Sequence, residues 1–282
     1  MRFVTLFILL VATLLHTGCN IINPTEEVPT YVHIDSFTFT STQPDLTGTN
    51  RQAITSVWAY LDGANVGVFE LPADIPVLLS RKSQLQLAPG VRNQGLNDYH
   101  IAYPFFEFYN VDLEPTPGKV ITLQPETRYI ANLQYWKESF ENGGGQFIKL
   151  SGDTAIRRVQ SADSVYEGGG AGVIVLNGNY PTSENIATLP ITPGTQCWLE
   201  IHYRGTLAFQ VGGRAIFSGN TPYAYLAGVK PKEEWGKLYV DMAQFTRLHP
   251  NALAYSVIIK SELGEGQSDG YLLLDNIKVI SY

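Results

Sequence analysis

The chain is poor in the residue types that most often carry chemistry. Its 282 residues include two cysteines, two methionines and five histidines. His16, His33, His100, His202 and His249 show no pairing at helical or hairpin spacing, which argues against a zinc site. Neither a nucleophile elbow nor a phosphate loop is expected. The glycine clusters at Gly143 and Gly168 lack the lysine, the dinucleotide spacing and the following helix that phosphate binding needs, and read as turns. Charged residues make up only 16% of the chain and sum to −7. An acidic surface repels phosphate backbones, so nucleic acid is set aside as a partner, and a polybasic membrane-binding face is set aside with it. No apolar run reaches the roughly 20 residues that cross ~30 Å of hydrocarbon as a helix.

What is present is aromatic and strand-forming, with 16 tyrosines and 13 phenylalanines. The N-terminus begins Met1-Arg2 and continues as an almost unbroken apolar stretch from Phe3 to Leu15, the layout of a secretory signal. It ends in Leu15-His16-Thr17-Gly18-Cys19, which resembles the lipobox of bacterial lipoproteins. Gly18 and Cys19 match that pattern, whereas His16 stands where a larger apolar residue is usual. The resemblance implies cleavage of residues 1–18, acylation of Cys19 with palmitate-type chains, and anchoring in an outer-membrane leaflet. At about 0.8 kcal/mol per buried methylene, several chains on one cysteine anchor stably. A disulfide between Cys19 and Cys197, the only other cysteine, is the alternative for an exported chain. With Cys19 acylated, Cys197 is expected to be a small core residue. Residues 19–30, polar and carrying Pro24 and Pro29, read as a tether. Glu26-Glu27 within it resembles the acidic surface-export signals of Bacteroidota lipoproteins.

From Tyr31 onward the pattern predicts an all-β protein of two β-sandwiches in tandem, immunoglobulin-like (31–139) and then jelly roll (140–282). Val32 and Ile34 alternate with His33 and Asp35, and Phe37 and Phe39 continue on a shifted phase, which predicts a bulge. Val57 to Leu61 and Val66 to Leu71 flank Asp62-Gly63, a hairpin cue. Further strands are expected at Gln84–Leu87, His100–Tyr109, Val111–Leu113 and Lys119–Leu123. The hairpin passage up to Pro72 resembles PEGA-type and related immunoglobulin-like surface domains. Glu141-Asn142-Gly143-Gly144-Gly145 breaks the pattern and is the candidate hinge, a long hairpin loop being the alternative.

The second half carries Val165-Tyr166-Glu167-Gly168-Gly169-Gly170, then Cys197 to Tyr203, then Glu234-Trp235-Gly236-Lys237-Leu238-Tyr239, and finally Leu274-Asp275-Asn276-Ile277. In that order they resemble galactose-binding-type jelly rolls, the fold of many carbohydrate-binding modules. The resemblance implies glycan binding, and a structural calcium at Glu167 and Asp275; capping of a turn by Asp275 is the alternative there. Alternation along the strand puts Cys197, Leu199, Ile201 and Tyr203 on a core face. Trp198, Glu200 and His202 then share the opposite face and form the candidate sugar site, an aromatic platform with polar neighbours. Tyr180, Tyr223 and Tyr225, in turn-like segments, are its candidate rim. Glu200 and Asp241 are the acids a glycosidase would use, but such acids more often line a solvated strand face. The expectation is a non-enzymatic, lipid-anchored envelope protein that binds glycan. An accessory lipoprotein docking on an outer-membrane protein assembly is the second reading.

Overall fold

A computed structural model describes residues 26–143, 145–192 and 194–282. The signal segment, Cys19, most of the tether and Gly144 of the candidate hinge lie outside the described residues. Two β-sandwich units follow one another, each closed around its own core.

In the first unit, Thr30–Ile34 pairs antiparallel with Ala73–Val77 and parallel with Val120–Leu123. This sheet faces a second one built on Ser83–Arg92, which pairs with Ser56–Leu61, His100–Ala102 and Tyr109–Leu113. Alternation buries Val32, Ile34, Val57, Ala59, Leu85 and Leu87 between them. The Asp62-Gly63 hairpin forms as its sequence predicts: Asp62 has φ 49° and Gly63 φ 82°, the left-handed pair that a tight two-residue turn requires.

Two local expectations are corrected. The phase change before Phe37 is a break between strands, since Thr38–Phe39 leaves the first sheet and pairs with Glu126–Thr127. The run from His100 to Tyr109 is interrupted after Ala102, because Pro104 has no N–H for a ladder. Tyr103, Phe105 and Phe106 consequently leave the sheet as a buried aromatic plug.

In the second unit, the last strand, Asp269–Ser281, organises one sheet. Its first half pairs with Ala171–Asn177 and its second half with Gln134–Glu138. Cys197–Gly205 pairs along most of its length and carries Lys232–Asp241 beyond. Gln134–Glu138 precedes the expected boundary at 140 yet is hydrogen-bonded into this second-unit sheet. The opposing sheet runs Ile148–Gly152, Thr182–Leu189, Ala254–Glu262, Phe209–Ile216, Tyr223–Val229. Leu199, Ile201, Val211, Val257, Ile259 and Leu274 fill the space between the sheets.

Candidate functional site

Each sheet of the second unit has an outward face, and the two differ in what covers them. The Cys197–Gly205 strand alternates as expected, with Cys197, Leu199 and Ile201 in the inter-sheet core. Cys197 is 0% exposed within that core, and burial pushes its thiol up to about 12. Trp198, Glu200 and His202 do share the other face, but that face lies under the first unit. Trp198 and Glu200 are 0% exposed and His202 is 2% exposed. The expected open sugar platform is therefore a buried junction. The aromatic plug is what closes it: Tyr103 packs edge-on against Trp198, with centroids 5.1 Å apart, and against Tyr239 at 5.2 Å.

Glu200 is the polar centre of this junction. Sheet register sets it opposite Tyr239 on one neighbouring strand and Lys278 on the other, and sets His202 opposite Lys237. Lys237 Nζ lies 2.7 Å from the carboxylate and Lys278 Nζ 3.7 Å. From the first unit, Tyr103 and Tyr129 donate to it through their hydroxyls at 2.8 and 2.9 Å. The lysines in turn donate to first-unit acceptors, Lys237 to Gln52 Oε1 at 2.6 Å and Lys278 to the Thr47 carbonyl at 2.6 Å. Burial alone raises a carboxylate's pKa, but two ammonium groups and these hydroxyls outweigh it and leave Glu200 at about 2. Burial lowers both lysines, Lys237 to about 7, because one carboxylate is shared between them. Burial, and then the neighbouring lysines, hold His202 at about 2, so its ring is neutral. A buried charged cluster paired across two surfaces in this way fixes how they dock. It also removes Glu200 from any hydrolytic role. Asp241 is used elsewhere, its Oδ1 accepting from the Ala243 amide at 2.8 Å.

Asp275 is 0% exposed, and its oxygens accept from the amides of Tyr166 (3.2 Å), Glu167 (3.2 Å) and Asn276 (2.7 Å). These contacts are those of a turn cap. Burial raises its pKa to about 7 despite them. Three amide hydrogens pointed at the carboxylate occupy the oxygen lone pairs that a calcium ion would take. Among the described residues no group of three or more His, Cys, Asp or Glu side chains is placed to hold a metal. One Gly-x-Ser-x-Gly stretch missed in the sequence, Gly266-Gln267-Ser268-Asp269-Gly270, lies where one antiparallel strand turns into the next. No helix follows it, and Ser268 Oγ donates to its neighbour Asp269 at 2.9 Å.

The outward face of the five-stranded sheet is open. The bulge after Val211 and the register beyond it put Tyr223 opposite Arg214, and Tyr225 opposite Gly212. Their strand neighbours Ala224 and Leu226 turn to the core, so both tyrosines face outward. Tyr223 is 62% exposed, and its ring stands 5.8 Å from that of Tyr225 at 73°. The Tyr225 hydroxyl donates to Glu184 Oε1, and Ser151 Oγ donates to Glu184 Oε2. Lys260 Nζ lies 5.8 Å from the Tyr225 ring centre and 2.6 Å from Glu262. Burial raises the Glu184 pKa, but the Ser151 and Tyr225 hydroxyls and then Lys260 and Arg214 outweigh it and bring it below the ordinary value.

These residues line a depression of about 260 Å³, and Lys260 and Glu262 also line a neighbouring one of about 490 Å³ that continues past Gln210 and Gly228. Together they make a shallow trough across the strands. Tyr180, in the Asn177–Tyr180 turn, is 54% exposed but lines neither depression. Glu184, Arg214 and Lys260 were not singled out in the sequence. Their strands alternate, and only the sheet register shows that they share a face with the tyrosines.

No protein-family model matches this chain, and no curated protein matches it. Similar solved structures include the CBM22-2 xylan-binding domain from Paenibacillus barcinonensis Xyn10C. It is 11% identical and covers 52% of this chain and 99% of its own, with a TM-score of 0.42. The K1 cleaved adhesin domain of Lys-gingipain from Porphyromonas gingivalis W83 is 20% identical and covers 52% of this chain and 97% of its own, with a TM-score of 0.37. TmCBM61, solved with beta-1,4-galactotriose, is 12% identical and covers 47% and 86%, with a TM-score of 0.32. Likenesses this distant assign neither a family nor a ligand.

Proposed function

We propose that this chain is a non-catalytic, lipid-anchored envelope protein that binds glycan in the trough of the five-stranded sheet. The anchor rests on Cys19 and the lipobox-like residues before it. The binding reading rests on one observation: Tyr223 and Tyr225 stand on an open sheet face beside a hydrogen-bonded set of carboxylate, hydroxyl and ammonium groups. Sugar recognition needs that combination, an aromatic face for the C–H side of a ring and polar groups to fix its hydroxyls. A trough that crosses several strands suits an extended chain of sugars better than a single one.

The test is affinity electrophoresis of the mature protein through gels carrying a panel of soluble plant, algal and bacterial polysaccharides. Retardation by at least one polysaccharide, abolished in Tyr223→Ala/Tyr225→Ala, is the expected result. Uniform migration through every gel overturns the reading.

The accessory-lipoprotein reading is favoured by a different feature. The edge strand Ile148–Gly152 is exposed at every position, with Ile148 64% exposed. Such an edge can add a strand from a partner. A stoichiometric outer-membrane protein recovered after crosslinking, and lost on Leu150→Pro, is the outcome that reading requires.

A further inference from the structure

A second cavity, of about 230 Å³, opens at the seam between the two units. Its walls come from both: Arg51, Gln52, Thr55 and Arg92 from the first, Tyr166, His202, Lys232, Trp235 and Lys237 from the second. Four of these side chains are cationic and none is a carboxylate, in a chain whose net charge is −7. Of the acids nearby, Glu70 and Glu200 are paired, and the exposed Glu167, Glu233 and Glu234 do not line the cavity. Glu70 is 3.8 Å from Arg92 Nη2, Glu200 is buried beneath Lys237, and Glu167 acts on Arg51 only through its charge.

Lys232 has no ion-pair partner among the described residues. It lies across Gly236, where an added Cβ would come 2.9 Å from Lys232 Cδ and 3.0 Å from Nζ. Glycine at 236 therefore lets the lysine lie along the rim. The aromatic side chains form a second element. The Trp235 and Tyr166 rings stand 5.2 Å apart, both half-buried, with Arg51 over the Tyr166 ring at 4.9 Å.

A third observation points to an occupant. Three residues of this wall carry buried polar atoms with no hydrogen-bond partner: His202 Nδ1, Thr55 Oγ1 and Arg92 Nε. His202 is 2% exposed and its ring is neutral, so its free nitrogen suits a hydroxyl, which both donates and accepts. Buried polar groups left unpaired are costly, and these three lie together on the wall of one cavity, where a polar guest would pair them.

We propose that this seam cavity is a second binding site, for a single acidic sugar of the uronate type. Its carboxylate would meet Arg51 and Lys232 and its hydroxyls His202 and Thr55, with Trp235, held between Arg204 and Tyr166, as a side wall. The volume falls below the roughly 300–1,000 Å³ of drug-sized pockets and suits one sugar rather than a chain. The site is distinct from the trough: the two share no residue.

The experiment is calorimetric titration of the mature full-length protein with glucuronate, galacturonate, glucose, galactose and inorganic phosphate in turn. At least one uronate is expected to bind, with neutral sugars weaker by about tenfold or more, as the loss of a charge-assisted hydrogen bond implies. Arg51→Ala and Lys232→Ala are each expected to weaken uronate binding by about tenfold. Gly236→Ala, which displaces Lys232 without removing a charge, weakens it less. Tyr223→Ala leaves it unchanged, which separates this site from the trough. Absence of uronate binding, equal binding of neutral sugars, or full affinity in both charge variants overturns the proposal. Phosphate binding as tight as uronate does so too, since it would show a simple anion site.

Discussion

The two outward faces of the second unit obey the same alternation and meet opposite fates. One carries Trp198, Glu200 and His202 and is sealed under the first unit; the other carries Tyr223, Tyr225 and Glu184 and is open. Both present aromatic and polar side chains together, which is why composition alone does not tell them apart. On the sealed face Glu200, Lys237 and Lys278 each have a partner across the junction, so these charged groups serve docking. On the open face the Glu184 network leaves the Tyr223 ring uncovered, so the same residue types stay available to a ligand. An aromatic strand face thus has two uses, and the deciding factor is what lies on top of it.

The largest effect expected from breaking this contrast is on the sealed side. Glu200→Gln leaves Lys237 and Lys278 buried without a counter-charge, and removing one partner from a buried ion pair costs about 3–5 kcal/mol. Urea unfolding should show that loss; a loss below about 1 kcal/mol, the scale of an exposed pair, would mean the cluster is solvated. On the open side, Tyr223→Ala/Tyr225→Ala should cut polysaccharide affinity by more than about tenfold, the scale of a central aromatic contact. Tyr223→Ala alone should leave the urea midpoint nearly unmoved, because Tyr223 is mostly in water already.

A smaller effect concerns pH. Lys237 has a folded pKa of about 7 against an ordinary value of 10.5, so between those values the unfolded chain binds a proton that the folded chain has released. Its contribution therefore makes stability rise with pH across that window. Lys237→Met should flatten the rise, and an unchanged slope would show that Lys237 is not the group responsible. The smallest effect is at Asp275. With amide donors on its carboxylate, calcium addition and chelation should leave Tm unchanged, whereas a calcium-dependent rise would favour the metal reading over the turn cap.

Much of this architecture is legible in the sequence, and the illegible part has a definite physical character. Alternation places Cys197, Leu199 and Ile201 inward and Trp198, Glu200 and His202 outward, and Asp62-Gly63 places a hairpin. Those are local facts, set by the two-residue period of a strand and by left-handed backbone at a tight turn. What covers the outward face is not local. Tyr103 reaches Glu200 across 97 positions and Lys278 reaches Thr47 across 231. The plug that makes the contact comes from a stretch that alternation reads as one strand and Pro104 interrupts. Gln134–Glu138 escapes for a related reason, since nothing in five residues says which of two units will supply the neighbouring strand. The trough is less legible: Tyr223 and Tyr225 read as turn aromatics rimming the Trp198 face, whereas they lie on a strand of the opposite sheet, and Glu184, Arg214 and Lys260 join them only through register.

Hydroxyl-radical footprinting of the mature protein, free and with a polysaccharide that retards it, bears most directly on which face is which. Tyr223 and Tyr225 should be labelled in the free protein and protected in the complex, with Trp198 unlabelled in both states. Labelling of Trp198 in the free protein, and its loss on adding the polysaccharide, would contradict the assignment of the two faces.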